Sequence, residues 1–348
     1  MISPSVLIFS TRGDSHTEAV LRRLSSNAHP LLIDFSEFGK KYFSSFRVDN
    51  ESESIWIHSA DGEIFNLDSA PSVWWRRPQP FATTIENDPV ASGYIAGEAR
   101  HYWGSVVQWL LHKSEFINNP NKHRQIDRKT YQLASAKRAG FSIPSTCVSS
   151  SVQAIETFLL NHPKVIFKSF SGSEEFWQPT RIWRDEYRSI IRNTGACPVI
   201  FQELINATFE YRVIAIDGEL FSARTDLRDS RYPYDVRIDT KLIRHPCKLD
   251  YSIQDRIKKF MDDAGLVYGA FDLQETSSGD FYFLEINPGG QFLYIDDLFG
   301  GQISAAMACA LSKRSGGTPT YEEHAMQRQE DWAQPLAFSI PEKINHLS

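Results

Sequence analysis

The chain has 348 residues, 41% of them hydrophobic and 13% aromatic, with a formal net charge of −6, which fits a globular protein of two or three cores. That charge leaves no electrostatic footprint for nucleic acid, no apolar run approaches the roughly 20 residues that span a bilayer, and Met1-Ile2-Ser3-Pro4 lacks the basic and apolar regions of a signal peptide. Cys147, Cys197, Cys247 and Cys309 are scattered and form no C-x-x-C pair, which argues against a zinc site or a disulfide framework. A cytoplasmic enzyme is the expectation.

The first third alternates strand and helix signals. Val6-Leu7-Ile8-Phe9 predicts a buried strand, residues 15–24 a short helix, and Leu31-Leu32-Ile33, Ile55-Trp56-Ile57, Glu63-Ile64-Phe65 and Val73-Trp74-Trp75 further strands. The third and fourth of these pair across Asp61-Gly62. An amphipathic helix follows over 91–111. Together these make a small α/β module, closed by the breaker Asn118-Asn119-Pro120. Asp127 is placed to cap a helix over 128–139 that stops at Gly140. Then come a strand at Thr146-Cys147-Val148, a helix near 152–161, the strand Val165-Ile166-Phe167-Lys168, a helix over 185–192 and the strand Val199-Ile200-Phe201-Gln202-Glu203. Residues 210–216 and 219–224 read as a hairpin closed by Asp217-Gly218. A helix over 253–264 ends at Gly265, and a last apolar helix covers 303–311. The remainder, rich in Gly, Thr, Glu and Gln, carries little order signal, with Trp332 and Phe338 as its candidate anchors.

Between the last two helices lies the richest segment. Asp272 interrupts the apolar run Tyr268-Gly269-Ala270-Phe271-Asp272-Leu273, and Glu285 and Asn287 end the run that follows the turn residues 276–280. Residues two apart share a strand face, so this hairpin presents two carboxylates and an amide oxygen together. Such a set also describes the polar face of any antiparallel sheet. Pro288-Gly289-Gly290 breaks the strand abruptly, which favours a site at the sheet margin. Hard oxygen donors of this kind suit Mg²⁺, which commonly binds through one or two carboxylates plus substrate phosphates. Lys168, at a strand end before Ser169-Phe170-Ser171-Gly172-Ser173, is a candidate phosphate ligand. Lys129 sits in the first turn of its helix, a poor place for a cation unless an anion is near.

The ordered series Lys129, Lys168, Gln202-Glu203-Leu204-Ile205, Glu210-x-Arg212, Asp272 and Glu285-x-Asn287 resembles the ATP-grasp superfamily of carboxylate–amine ligases over residues 1 to about 312. Within it the chain looks most like the microviridin-type (graspetide) peptide macrocyclases. Four stretches carry that likeness: Asp14-x-His16, Val73-Trp74-Trp75-Arg76-Arg77-Pro78, Leu220-Phe221-Ser222-Ala223-Arg224 with Asp235-Val236-Arg237, and Glu285-Ile286-Asn287-Pro288-Gly289-Gly290-Gln291-Phe292. Val236 and Phe292 stand where the group usually has Trp.

The resemblance implies an α+β protein: an N-terminal α/β domain (1–117), a central subdomain (118–199) and a C-terminal subdomain (200–314) that clamp ATP, and a tail (315–348). It implies that Lys129 and Lys168 contact phosphates, that Gln202, Glu203, Leu204 and Ile205 line adenine, with Glu203 and Leu204 offering backbone groups, and that Glu210 binds ribose. Asp272, Glu285 and Asn287 become Mg²⁺ ligands. Arg224 and Arg237 become candidates to stabilise a tetrahedral intermediate, with Asp235 orienting an arginine or accepting a proton. Arg76, Arg77, Arg212, His245 and Gln291 are left to hold substrate, and the acidic segment containing Glu174, Glu175, Asp185 and Glu186 to meet a leader peptide. The implied reaction activates Asp or Glu side chains of a ribosomal precursor peptide, leader and core, as acyl phosphates and closes ester or amide rings. The implied assembly is a homodimer. Two alternatives stand beside it: a RimK-like ligase adding an amino acid to a carboxylate, and a catalytically silent nucleotide-binding regulator.

Overall fold

The computed structural model describes residues 2–81, 88–170, 180–191, 195, 197–234 and 242–316. Its elements are β1 (Val6–Phe9), α1 (Ser15–Leu21), β2 (Pro30–Ile33), β3 (Tyr42–Val48), β4 (Glu53–Ser59), β5 (Ile64–Asn66), β6 (Ser72–Trp75), α2 (Pro89–Leu110), β7 (Glu115–Ile117), α3 (Pro120–Ile126), α4 (Lys129–Arg138), β8 (Thr146–Ser149), α5 (Val152–Asn161), β9 (Val165–Lys168), β10 (Arg181–Ile182), α6 (Arg188–Ile191), β11 (Val199–Glu203), β12 (Ala207–Ile216), β13 (Glu219–Asp226), β14 (Arg244–Cys247), α7 (Tyr251–Ala264), β15 (Tyr268–Thr276), β16 (Phe281–Asn287), α8 (Leu293–Asp296) and α9 (Gln302–Arg314).

The N-terminal region holds a parallel sheet of order β2-β1-β6-β7 and an antiparallel sheet β3-β4-β5. β1 is apolar throughout because both its faces are covered. Val6 and Ile8 enter one core with α1 and α9, while Leu7 and Phe9 enter another with Trp103, Val106 and Leu110 of α2. β3 escaped the sequence because its side chains are largely exposed, so it carries no burial pattern. The short strand β7 and the helix α3 were also unforeseen. Asn119 caps α3 with Pro120 in its first turn, and Asp127 closes that helix. The expected cap of α4 by Asp127 is therefore corrected: Arg128 holds the N-cap position with no side-chain cap bond.

The central sheet has the order β10-β9-β11-β8. One face packs Phe167 and Phe201 against Ile155 and Trp183. By strand register, Lys168, Ile200 and Gln202 lie on the other.

The largest sheet runs β14-β13-β12-β15-β16, all antiparallel. Asp217 and Gly218 both take positive φ (49° and 89°) in the two-residue turn joining β12 to β13, as an Asp-Gly hairpin requires. One face packs Tyr211, Val213, Phe271, Leu273 and Phe283 onto Ile253, Ile257 and Phe260 of α7. Their spacing gives that helix its apolar stripe, and Gly265 ends it in the left-handed conformation.

The reverse face is divided lengthwise. Ile214, Ile216, Phe221, Ala223 and Ala270 join the core shared with β1, α1 and α9. Beyond them the same face turns polar, with Glu210 and Arg212 continuing the register of Ile214.

Candidate active site

The polar half of this face is assembled by register. Arg212 lies opposite Asp272, Asp272 opposite Glu285, and Ala270 opposite Asn287. A β-bulge between the Asp272 and Leu273 pairings leaves Leu284 unpaired. The bulge is what allows Phe283 to enter the α7 core while Glu285, two residues on, faces the other way. Without it the period of two would place both on one face.

Asp272 and Glu285 each meet a cation. Arg212 donates from one terminal nitrogen to both oxygens of Asp272, at 2.8 and 2.9 Å, and from the other to the Gln291 carbonyl at 3.0 Å. Burial works to lower the pKa of Arg212, but the Asp272 carboxylate outweighs it and the net shift is upward. Lys129 donates to Glu285 at 3.0 Å, which places an anion at the first turn of α4, as its unfavourable position predicted. Glu210 accepts from Gln274 at 3.3 Å. Asn287 turns its amide oxygen to the N–H of Gly289 at 2.9 Å.

The edge of β16 is fixed by a residue the sequence did not mark. Gln132, buried one turn after Lys129, donates to the Ile286 carbonyl at 2.8 Å and accepts from the Ile286 N–H at 3.2 Å. Its amide acts as one residue of an added strand, holding the backbone between Glu285 and Asn287. A polar residue at i+3 from Lys129 on a buried helix face was the available signal.

The loop after β16 is gripped from the N-terminal sheet. Arg76, 1% exposed, donates to the carbonyls of Gly289 and Gly290, and Arg77 donates to Gly289 at 2.8 Å. His16 accepts from the N–H groups of Phe292 and Leu293 at 3.1 and 3.4 Å. Burial, aided by the Arg76 cation, lowers its pKa to about 3 and keeps the ring neutral, as an accepting nitrogen must be. Asp14 caps α1 through the Thr17 N–H at 2.7 Å and stands 3.7 Å from Arg76. Asn118 donates to the Tyr268 and Pro288 carbonyls at 2.7 and 3.0 Å and accepts from the Val267 and Tyr268 N–H groups at 2.7 and 2.8 Å. The glycines fit this crowding. A methyl on Gly289 would stand 3.1 Å from the Arg76 carbonyl and the His123 ring, and one on Gly290 would collide with Ala270.

Several expectations change. Arg76 is sealed beneath the loop, and Arg77, half-buried, gives its Nε–H to the same Gly289 carbonyl. Arg224 and His245 pair with each other across β13 and β14 on the face opposite Arg212 and Asp272, and Arg224 stacks on Phe209 at 4.4 Å. Neither reaches the polar cluster. The N–H groups of Glu203 and Leu204 donate to the Ser145 and Lys164 carbonyls at 2.8 and 2.9 Å. Within Gln202–Ile205 this leaves the Ile205 N–H outside these backbone pairings among the described residues. Gln202 donates to Thr146 at 2.9 Å. Gln291 takes part through its carbonyl. Asp235, Arg237, Glu174 and Glu175 lie outside the described residues, as do Trp332 and Phe338, whereas Asp185 and Glu186 are described and exposed.

Among the described residues no three His, Cys, Asp or Glu side chains gather at metal-binding distance. What the hairpin offers is two carboxylates and one amide oxygen. That donor set fits Mg²⁺ if phosphate and water complete the shell.

Comparison with solved structures identifies the fold. The chain superimposes on the macrocyclase MdnC of Microcystis aeruginosa, solved with its precursor peptide MdnA, with a TM-score of 0.79 and 22% identity over 90% of this chain and 100% of that one. It matches a RiPP-associated ATP-grasp ligase of Chryseobacterium gregarium, solved with ADP and a leader and core peptide, with a TM-score of 0.79 and 23% identity over 90% and 97%. The ATP-grasp ligase PsnB, solved with a phosphomimetic minimal precursor, Mg and ADP, gives 0.74 and 19% over 90% and 100%. No family model and no curated protein matches the sequence. The chain has the α+β fold of the ATP-grasp ligases.

Proposed function

We propose that this protein is an ATP-dependent ligase that activates Asp or Glu side chains of a ribosomally made precursor peptide and closes ester or amide cross-links within it. The observation that carries this reading is the single sheet face on which Arg212, Asp272, Glu285, Asn287 and Lys129 converge, in a fold shared with ligases solved with precursor peptides and ADP. The division at residues 117, 199 and 314 belongs to the same proposal, as do a cytoplasmic setting and a homodimer.

In the first step a substrate carboxylate oxygen attacks the γ-phosphorus of ATP and ADP leaves, giving an acyl phosphate. Such transfer needs positioning and charge neutralisation more than covalent help. Lys129 and Lys168 hold phosphate oxygens, Ile205 offers its N–H to adenine, and Glu210 takes the ribose hydroxyls. Asp272 keeps Arg212 oriented toward the transferred phosphoryl group. When bound, Mg²⁺ on Asp272, Glu285 and Asn287 neutralises charge on the phosphates. In the second step a Ser, Thr or Lys side chain of the same peptide attacks the acyl carbon, phosphate leaves, and the nucleophile's proton passes to solvent or a nearby base.

The test is incubation with MgATP and short Asp/Glu- and Ser/Thr/Lys-rich peptides, including any that is encoded beside the gene. Cyclisation releases ADP and leaves the peptide lighter by one water per ring. A heavier peptide would indicate the RimK-like alternative, and no ADP with any acidic peptide would sink both enzyme readings.

A further inference from the structure

Arg244 was not singled out by the sequence, yet β14 places it on the active face. It lies opposite Thr225, which lies opposite Glu210, so all three project to one side. Its guanidinium carbon lies over the Tyr294 ring, 5.0 Å from the centroid, and that of Arg212 lies 5.8 Å from the same centroid. The two arginines differ in what they answer. Arg212 is committed to Asp272 and the Gln291 carbonyl. Arg244 is half-buried, and among the described residues no carboxylate lies within ion-pair distance of it. A guanidinium held over an aromatic face by cation–π attraction keeps N–H groups with which it can receive a carboxylate through paired hydrogen bonds. A carboxylate that must approach a triphosphate needs such a cation, because two anions otherwise repel.

We propose that Arg244, held over the ring of Tyr294, is the specificity residue that receives the substrate's acidic side chain next to the phosphoryl-transfer face. The proposal rests on the ligase reading, and binding separates it from turnover. The probes are a synthetic decapeptide alternating Glu with Ser and its Gln-for-Glu counterpart, titrated into the full chain with Mg²⁺ and a non-hydrolysable ATP analogue. Wild type should prefer the Glu peptide by about tenfold or more, as expected for losing a charge-assisted pair. Arg244→Gln should erase that preference while nucleotide affinity stays within about twofold and melting is unchanged. Arg244→Lys should restore part of it, since charge survives without the fork. Tyr294→Ala should weaken it and Tyr294→Phe should not. An unaltered Glu-over-Gln ratio in Arg244→Gln, an equal loss of nucleotide binding, or no preference in wild type would each overturn the assignment. Wild-type discrimination without ATP turnover on any peptide would keep the carboxylate site and discard the ligase.

Discussion

Two polar clusters meet at the Pro288–Gln291 loop, and they are built on opposite principles. Beneath it, His16, Arg76 and Asn118 bond to main-chain groups, out of water. Above it, Lys129 with Glu285 and Arg212 with Asp272 are side-chain ion pairs on a partly open face. Bonds to the backbone hold shape whatever ligand comes. The more open Lys129–Glu285 pair can be exchanged for phosphate or metal at little cost in fold, because an exposed pair contributes little by itself, whereas the buried Arg212 depends on Asp272. The contrast separates residues whose partners are main-chain groups from those whose partners are charged side chains, with Arg212 answering both Asp272 and the Gln291 carbonyl.

The sharpest test of that division is Glu285→Gln. Turnover of ATP should fall by about a hundredfold or more, beyond what losing an outer-shell partner costs, with thermal melting unmoved. Wild-type turnover would refute the metal assignment. Asp272→Ala should lose activity too, but it also strands a buried guanidinium and should melt earlier. Among the braces, Asn118→Ala removes four hydrogen bonds and should cost about 2–5 kcal/mol of stability, measured by urea unfolding. A midpoint equal to wild type would mean that the loop does not depend on its grip. Gln132→Ala joins the two clusters, since it frees the β16 edge without touching a ligand. The Mg²⁺ concentration for half-maximal rate should rise about tenfold, and an unchanged requirement would show that strand pairing alone positions Glu285 and Asn287.

A last test concerns pH. His16 has a folded pKa of about 3 against an ordinary value of 6.5, with Asp14, Arg76 and Arg77 around it. The unfolded chain therefore binds the extra proton first. The neutral ring's contribution is complete above pH 6.5 and is lost progressively as pH falls toward 3. His16→Gln, whose amide oxygen can accept the same bonds, should flatten the stability profile over that window. Parallel profiles for variant and wild type would remove His16 as the titrating brace.

Much of this was legible in the residues. The hairpin carrying Asp272, Glu285 and Asn287, the Asp217-Gly218 turn, the strands ending in Phe9, Lys168 and Glu203, and the helix stop at Gly265 follow from period and turn chemistry. β3 was hidden because an exposed strand has no hydrophobic alternation, and β14 because a four-residue segment containing Pro246 has little pattern of its own. The harder failure was of face. The sequence marked Arg224 and not Arg244, and only the pairing of β12, β13 and β14 puts Arg244 on the face of Glu210 and Arg224 on the other. Likewise Arg76 reads in the sequence as either a peptide binder or a structural cation, and its burial involves a loop 213 residues away in sequence.

Leu284 adds a consequence of its own. Because it stands outside the ladder, it resets the parity of β16, and the strand is in effect two strands of opposite phase joined at one residue. Which side chains meet water and which meet the core is therefore set by counting, and chemical similarity does not enter. A single-residue deletion there would exchange the roles of neighbours without altering any of them, driving a carboxylate toward the aromatic core or turning Phe283 out of it. Any graft of this hairpin into another sheet must carry the odd residue along, or the oxygen donors arrive on the wrong side.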